Sequence, residues 1–378
     1  MAFKVLTLIG TRPELIKLSR VIAELSQHVE HVLVHTGQNY DYELNEIFFQ
    51  QLEIERPKHF LEAVGASTAE TIGLVISKLD AVLAAEKPDA FLLLGDTNSA
   101  LGTIAAKRRK IPVFHMEAGN RCFDDRVPEE INRRIVDHIS DINLVYTEHA
   151  RRYLLSEGLR PETVIKTGSP MREVLTHYAS KIDASNVLKD LGLEPRRYFV
   201  VSSHREENID SEANFGSLLK TLRELAQRHA WPVIVSTHPR TRKKLEANDA
   251  RLLSQADERI RFMKPLGLPD YVHLQQQAAC VISDSGTLTE ESSICDFPAV
   301  MIRQAHERPE GMDEATVIMC GLEPERVLQA VDVAMRQWSA SERRFRLVED
   351  YEPENVSQKL LRIILSYTDY VNRTVWHK

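Results

Sequence analysis

Short apolar runs alternate along the chain with longer segments whose apolar residues recur at helical spacing. Phe3–Ile9 reads as a strand, and Glu14–Leu25 as a helix whose start is marked by Pro13. Further strands are expected at His31–His35, Phe91–Leu94, Val113–Met116, Ile142–Tyr146 and Val164–Lys166. The intervening helices fall at Ala69–Ala85, Leu101–Arg109, Pro128–Ile139 and Glu148–Ser156. Such βα repetition predicts a doubly wound parallel sheet.

Met171–Pro195 is helical without a strand and leads to a fresh start. Strands follow at Tyr198–Val201, Val233–Val235, Cys280–Ile282 and Ala299–Ile302. Helices are expected at Phe215–Gln227, Leu268–Ala278, Thr287–Ile294 and Asn355–Ile364. The second half thus repeats the architecture without repeating the sequence. The expected fold is α/β, with two Rossmann-like domains of parallel sheet facing across a cleft. Residues 1–170 and 171–354 are the two domains. In open α/β sheets ligands bind at the carboxyl ends of the strands, and the polar clusters of this chain fall there.

Composition narrows the function. A length of 378 residues suits two domains. A net charge of −7 does not favour nucleic acid or an anionic membrane as partner. The N-terminal apolar run Val5–Ile9 is too short for a signal segment or a membrane span. Cys122, Cys280, Cys295 and Cys320 have no metal-ligand spacing and read as reduced cytoplasmic thiols. No metal is expected.

The most informative cluster is Asp284-Ser285-Gly286-Thr287, directly after a strand and before a helix. A helix start with Ser and Thr hydroxyls is suited to phosphate, and the glycine permits close backbone approach. Glu290 or Glu291 lies one turn deeper, placed for sugar hydroxyls, and Arg308 supplies a fixed cation. In Gly10-Thr11-Arg12-Pro13-Glu14, Arg12 and Lys17 are expected to meet an anion at the helix start; the plainer alternative pairs Lys17 with Glu14. Asp96, in Gly95-Asp96-Thr97, ends a strand and points into a site or caps a helix. Glu117 ends the next strand, and Glu129 opens the helix begun by Pro128. Glu130 reads as compensating the helix dipole and pairing with the arginines that follow, Arg133 and Arg134. His204, in Ser203-His204-Arg205-Glu206-Glu207-Asn208, is a candidate proton donor or phosphate partner. Ser236-Thr237-His238-Pro239-Arg240 lines the site or merely caps a helix.

Taken in order, these motifs resemble the non-hydrolysing UDP-N-acetylglucosamine 2-epimerase family. They are Gly-Thr-Arg-Pro-Glu at 10–14, Gly-Asp-Thr at 95–97, Glu-Ala-Gly-Asn-Arg at 117–121 and Pro-Glu-Glu-Ile-Asn-Arg at 128–133. His-Arg-Glu-Glu-Asn at 204–208, Asp-Ser-Gly at 284–286 and Glu-Arg-Pro-Glu at 307–310 complete the set. The resemblance implies a glycosyltransferase-B-like fold whose C-terminal helix, in 355–378, packs back on the first domain. Residues 116–124, 202–208 and 369–376 resemble the branch that makes UDP-N-acetyl-L-fucosamine. That branch inverts C2 of UDP-2-acetamido-2,6-dideoxy-L-talose for capsule or O-antigen synthesis.

The implied chemistry is elimination of UDP to a 2-acetamidoglycal and re-addition, with no cofactor. Asp96, Glu117 and Glu129 match the family's carboxylates. Arg12, His204, Ser285, Gly286 and Thr287 fit the stabilisation of charge on the departing phosphate. Tyr271 matches the position stacking on uracil, and Arg308 and Glu291 those gripping the nucleotide. Thr287 replaces a glycine and Leu266 a glutamine found in other members. The expected partners are a UDP-sugar and a second copy of the chain, with no nucleic acid and no membrane. Gly37-Gln38-Asn39-Tyr40-Asp41 departs from the Gly-Gln-His-Arg turn of members activated by their substrate, so no such activation is expected. A glycosyltransferase, a hydrolysing epimerase and a non-catalytic UDP-sugar-binding regulator are the competing readings.

Overall fold

A computed structural model describes residues 2–37, 48–203, 205, 208, 211–237, 257–305 and 307–378. The chain divides into two compact units, Met1–His177 with Asp350–Lys378, and Tyr178–Glu349. The helix Met171–His177 stays with the first unit, as does the stretch 350–354.

The described strands of unit 1 are β1 (Lys4–Ile9), β2 (Glu30–His35), β3 (His59–Phe60), β4 (Ala90–Leu94), β5 (Val113–Met116), β6 (Ile142–Val145) and β7 (Val164–Lys166). They lie in the order β3-β2-β1-β4-β5-β6-β7, and every pairing is parallel. The strand order reverses at β1 and β4. A parallel sheet is covered on both faces, which is why β4, Ala-Phe-Leu-Leu-Leu, is buried at every position. One face packs Leu6, Leu8, Phe91 and Leu93 against Val75, Leu79 and Leu83 of the helix Thr68–Glu86. Helix α1 (Arg12–His28) also packs against the C-terminal helix Val356–Thr374, within the same unit. That last helix continues well past the expected Ile364 because Leu360, Leu361, Ile364, Thr368 and Val371 keep one buried stripe going.

Unit 2 repeats the plan with β8 (Phe199–Ser202), β9 (Val233–Ser236), β10 (Ile260–Met263), β11 (Cys280–Ser283), β12 (Ala299–Met301) and β13 (Ile318–Met319). The order is β10-β9-β8-β11-β12-β13, again with parallel pairings. Alternate residues of β8 serve the two faces. Phe199 and Val201 pack under the helices Glu212–His229 and Pro324–Gln337, while Val200, with Tyr198 just before the strand, packs with Leu274 and Leu288. The fold class expected from the sequence, paired units of parallel α/β sheet, is the one observed. Among the described residues no helix is long and apolar enough to cross a membrane.

Candidate active site

Each unit gathers its polar residues at the carboxyl ends of the strands flanking its switch point, where β1 meets β4 and β8 meets β11. In unit 1 the turn after β1 starts α1, with Thr11 as the cap and Pro in the first turn. The anion at this helix start is the chain's own. Glu14 is 4% exposed and accepts the N–H groups of Gly10 at 2.6 Å and Thr11 at 3.3 Å. Burial pushes its carboxyl up to about 7, against the pull of these bonds. Its other oxygen accepts the Thr97 hydroxyl at 2.8 Å. Lys17 therefore does not pair with Glu14; it is 3% exposed and donates to Glu117 at 2.9 Å, with the Tyr146 ring 5.5 Å from its ammonium. The Arg12 guanidinium lies 5.1 Å from the centre of the Phe48 ring.

The two strand-end carboxylates sit on neighbouring strands. Asp96 does not cap a helix: its Oδ2 meets Arg133 Nε at 2.6 Å, and its carbonyl accepts the Asn132 amide at 2.9 Å. Glu117 adopts φ +63°, a left-handed conformation costly for a non-glycine residue. Its carboxylate is gripped by Lys17 on one oxygen and by Asn120, at 3.4 Å, on the other. Glu129 is half-buried in the first turn of α2 (Pro128–Ile139).

Two buried carboxylates on α2 hold the turn that follows Glu117. Asp137 accepts the Gly119 N–H and pairs with Arg121 at 2.7 Å, and His115 Nδ1 lies 3.0 Å away. Gly119 has φ +80° and no room for a side chain, since a Cβ would fall 2.6 Å from the Ala150 carbonyl. Burial works against charge in this pair, yet mutual attraction wins: His115 titrates above its usual value and Asp137 below. Glu130 is fully buried and accepts the N–H groups of Cys122 at 3.0 Å and Phe123 at 3.2 Å, with Arg133 at 2.6 Å. Burial raises its pKa, but the Cys122 N–H and Arg133 outweigh this and the net shift is downward. The pairing of Glu130 with the arginines that follow is present, to Arg133 at 2.6 Å and Arg134 at 3.4 Å, and the Cys122 turn adds donors that the sequence reading did not include. The signal was present in the sequence. Glu130, Arg133 and Asp137 fall at i, i+3 and i+7, so one helix face carries charge into the interior.

In unit 2, β11 runs into Asp284, Ser285 and the helix α3 (Thr287–Cys295). Gly286 caps α3 with no side-chain bond, and Ser285 Oγ and Thr287 Oγ1 are 3.0 Å apart at its start. Gly286 has helical angles, and among the described residues a Cβ there would meet only Glu307 Oε2, at 3.4 Å. Asp284 is fully buried, and its Oδ2 accepts the Ser203 hydroxyl, the Arg205 N–H and the Asn208 amide at 2.8, 3.1 and 2.9 Å. Glu307 binds Arg303 through both oxygens and Arg205 at 3.2 Å. Arg308 pairs with Glu290 at 3.1 Å, both buried, while Glu291 accepts the Gln275 amide at 2.7 Å. Tyr271 is half-buried on the helix Leu268–Gln276. His204, His238 and the stretch 38–41 lie outside the described residues. Among the described residues no cluster has the make-up of a metal site.

The sequence profile described as UDP-N-acetylglucosamine 2-epimerase matches residues 23–365. A UDP-N-acetylglucosamine 2-epimerase of Rickettsia bellii is 54% identical, with a TM-score of 0.93 and full coverage of both chains. One from Methanococcus maripaludis is 34% identical, over 89% of this chain and 94% of its own length. A Pseudomonas aeruginosa protein named UDP-2,3-diacetamido-2,3-dideoxy-D-glucuronate 2-epimerase is 31% identical, over 88% of this chain and 92% of its own.

Proposed function

Because the chain belongs to the UDP-N-acetylglucosamine 2-epimerase family, it is a UDP-sugar 2-epimerase, an isomerase, and we propose that it converts UDP-2-acetamido-2,6-dideoxy-β-L-talose to UDP-N-acetyl-L-fucosamine. The C2–H of such a sugar has no adjacent carbonyl and is too weakly acidic for simple removal and return of the proton. In the proposed route the C2 proton leaves to a base as UDP leaves C1. The C–H pair becomes the C1–C2 double bond of a 2-acetamidoglycal, and the C1–O pair departs with the β-phosphate. UDP then adds back to C1 while an acid protonates C2 on the opposite face.

The observation that carries this reading is Glu117, held in a strained backbone between Lys17 and Asn120. Strain of this kind persists where the surroundings over-determine a functional residue. Lys17 holds the carboxylate in place, positioned to take or return a proton. Asp96, braced by Arg133, and Glu129, at the start of α2, are the carboxylates available for the second face. In unit 2 the uncapped start of α3, with Ser285, Gly286 and Thr287, is suited to the diphosphate. Arg12 and His204 join in carrying charge on the leaving group, and Tyr271, Glu291 and Arg308 hold the nucleoside.

The choice of sugar rests on the resemblance at 116–124, 202–208 and 369–376. Asn120 and Cys122 belong to the turn that Asp137 and Glu130 pin directly after Glu117, a suitable place to read the sugar. The second reading takes UDP-N-acetylglucosamine as substrate. The names of the Rickettsia and Methanococcus proteins favour it, while the Pseudomonas name, at 31% against 34% for the Methanococcus protein, gives a different sugar. Initial rates on the talose-type and glucosamine-type nucleotides separate the two. Faster turnover of UDP-N-acetylglucosamine would reject the fucosamine assignment. We also take the enzyme to be cytoplasmic, supplying capsule or O-antigen synthesis; its four free thiols fit a reducing compartment.

A further inference from the structure

The turn that carries Arg12 and the turn that carries Asp96 follow β1 and β4, the adjacent strands at the switch point of unit 1. They are pressed together. A Cβ at Gly10 would fall 1.9 Å from Ser99 Oγ and 2.7 Å from Thr36 Oγ1, and these two hydroxyls are themselves 2.8 Å apart. One side chain bridges the pair. Glu14 takes the Gly10 and Thr11 N–H groups on Oε2, at 2.6 and 3.3 Å, and the Thr97 hydroxyl on Oε1 at 2.8 Å. Thr97 directly follows Asp96, whose other side is braced by Arg133 and Asn132.

We propose that Glu14 is a positioning residue of the active site, holding the Asp96 turn and the Arg12 turn as one piece through Thr97. The inference rests on the epimerase reading above and deepens it. Glu14 is 4% exposed and spends both oxygens on these two turns, so it acts on the reaction through its neighbours. An ordinary helix cap needs only the Gly10 and Thr11 bonds. The third bond, to a residue 83 positions away, is what a cap does not require. Reacting groups tolerate little displacement, and a shift of about 1 Å in a catalytic carboxylate costs up to roughly a hundredfold in rate.

The test replaces the bridge while leaving the cap. Thr97→Val keeps the side-chain shape and removes the hydroxyl; Thr97→Ser keeps the hydroxyl. In the full-length enzyme, Thr97→Val is expected to lower kcat on the order of tenfold or more, with KM and melting temperature close to the parent's. Thr97→Ser should restore most of kcat. Glu14→Gln should lower kcat too, and Glu14→Gln with Thr97→Val should be little worse than either alone, as for two groups in one interaction. Parent-like kcat in Thr97→Val overturns the inference. So does a loss of kcat that follows the melting temperature and is not recovered by Thr97→Ser, since that marks general loosening. An active parent separates these outcomes from failure of the epimerase reading. A parent that turns over no UDP-sugar overturns that reading, and this inference falls with it.

Discussion

Two strand-to-helix turns, after β1 and after β11, are built on the same plan and end in opposite states. Each leaves a parallel strand at a switch point and opens a helix through a glycine-containing turn. At the start of α1 the chain folds its own carboxyl, Glu14, back onto the N–H groups of Gly10 and the cap Thr11. At the start of α3 the cap is Gly286, which has no side chain to offer, and the hydroxyls of Ser285 and Thr287 stand beside it. A helix N-terminus is an anion site in both cases. The difference lies in who brings the anion. Unit 1 spends the motif on an internal contact, from Glu14 to the Thr97 hydroxyl, and under the proposed function unit 2 offers it to the diphosphate. Motif alone does not distinguish these uses. A glutamate at the third helical position does, because it folds back onto its own cap.

If unit 1 carries the chemistry, Glu117→Gln removes the proton-transfer group and nothing that binds phosphate. Turnover should fall by roughly a thousandfold or more, with UDP affinity within about threefold of the parent's by calorimetry. A parallel loss of UDP affinity would erase the proposed division of labour.

The internal anion of α1 can be read from stability. The Glu14 carboxyl titrates near 7 in the folded protein, against an ordinary 4.5. Its folded-state pKa is raised, so its contribution is fully present below pH 4.5 and is lost as pH rises through 7. Glu14→Gln carries no such titration. Urea unfolding of both proteins at pH 5 and pH 8 should show the variant gaining on the parent by about 2.5 kcal/mol across that span. An unchanged difference would mean that Glu14 is charged at both pH values.

The smallest effect expected sharpens the other half of the comparison. Gly286 has helical angles, and among the described residues a Cβ there would touch only Glu307, at 3.4 Å. Gly286→Ala should therefore move the melting temperature by no more than a few degrees, about 1 kcal/mol or less. UDP affinity should nevertheless drop, by roughly tenfold, because the methyl stands where the phosphate approaches. Retained UDP affinity would place the diphosphate elsewhere.

The strands and most helices were legible because strands covered on both faces are nearly continuous apolar runs, as Ala90–Leu94 and Cys280–Ser283 are. The strands that escaped notice, His59–Phe60, Ile260–Met263 and Ile318–Met319, all lie at sheet edges, where half-burial blurs that signal. The helix Pro324–Gln337 was missed although its buried stripe of Val327, Leu328, Ala330 and Val331 has helical spacing. The candidate groups Asp96, Glu117 and Glu129 stand where the sequence put them, just beyond two strands and at a helix start. Their supports were not legible. Thr97 reaches Glu14, Arg133 reaches Asp96 and Asn208 reaches Asp284 across separations of 83, 37 and 76 residues. Only the fold brings such partners together, and a buried carboxylate looks in sequence like a solvated one.

The central claim is that C2 loses its hydrogen to the enzyme and receives another from solvent on the opposite face. Running the reaction in deuterated water and reading C2 of the recovered UDP-sugar product by proton NMR and mass spectrometry tests it most directly. The account predicts product carrying one deuterium, located at C2, together with enzyme-dependent exchange into recovered substrate as the reaction reverses. Epimerised product that keeps its original C2 hydrogen would contradict it, because no elimination through a 2-acetamidoglycal can preserve that atom when the acid–base groups exchange with solvent.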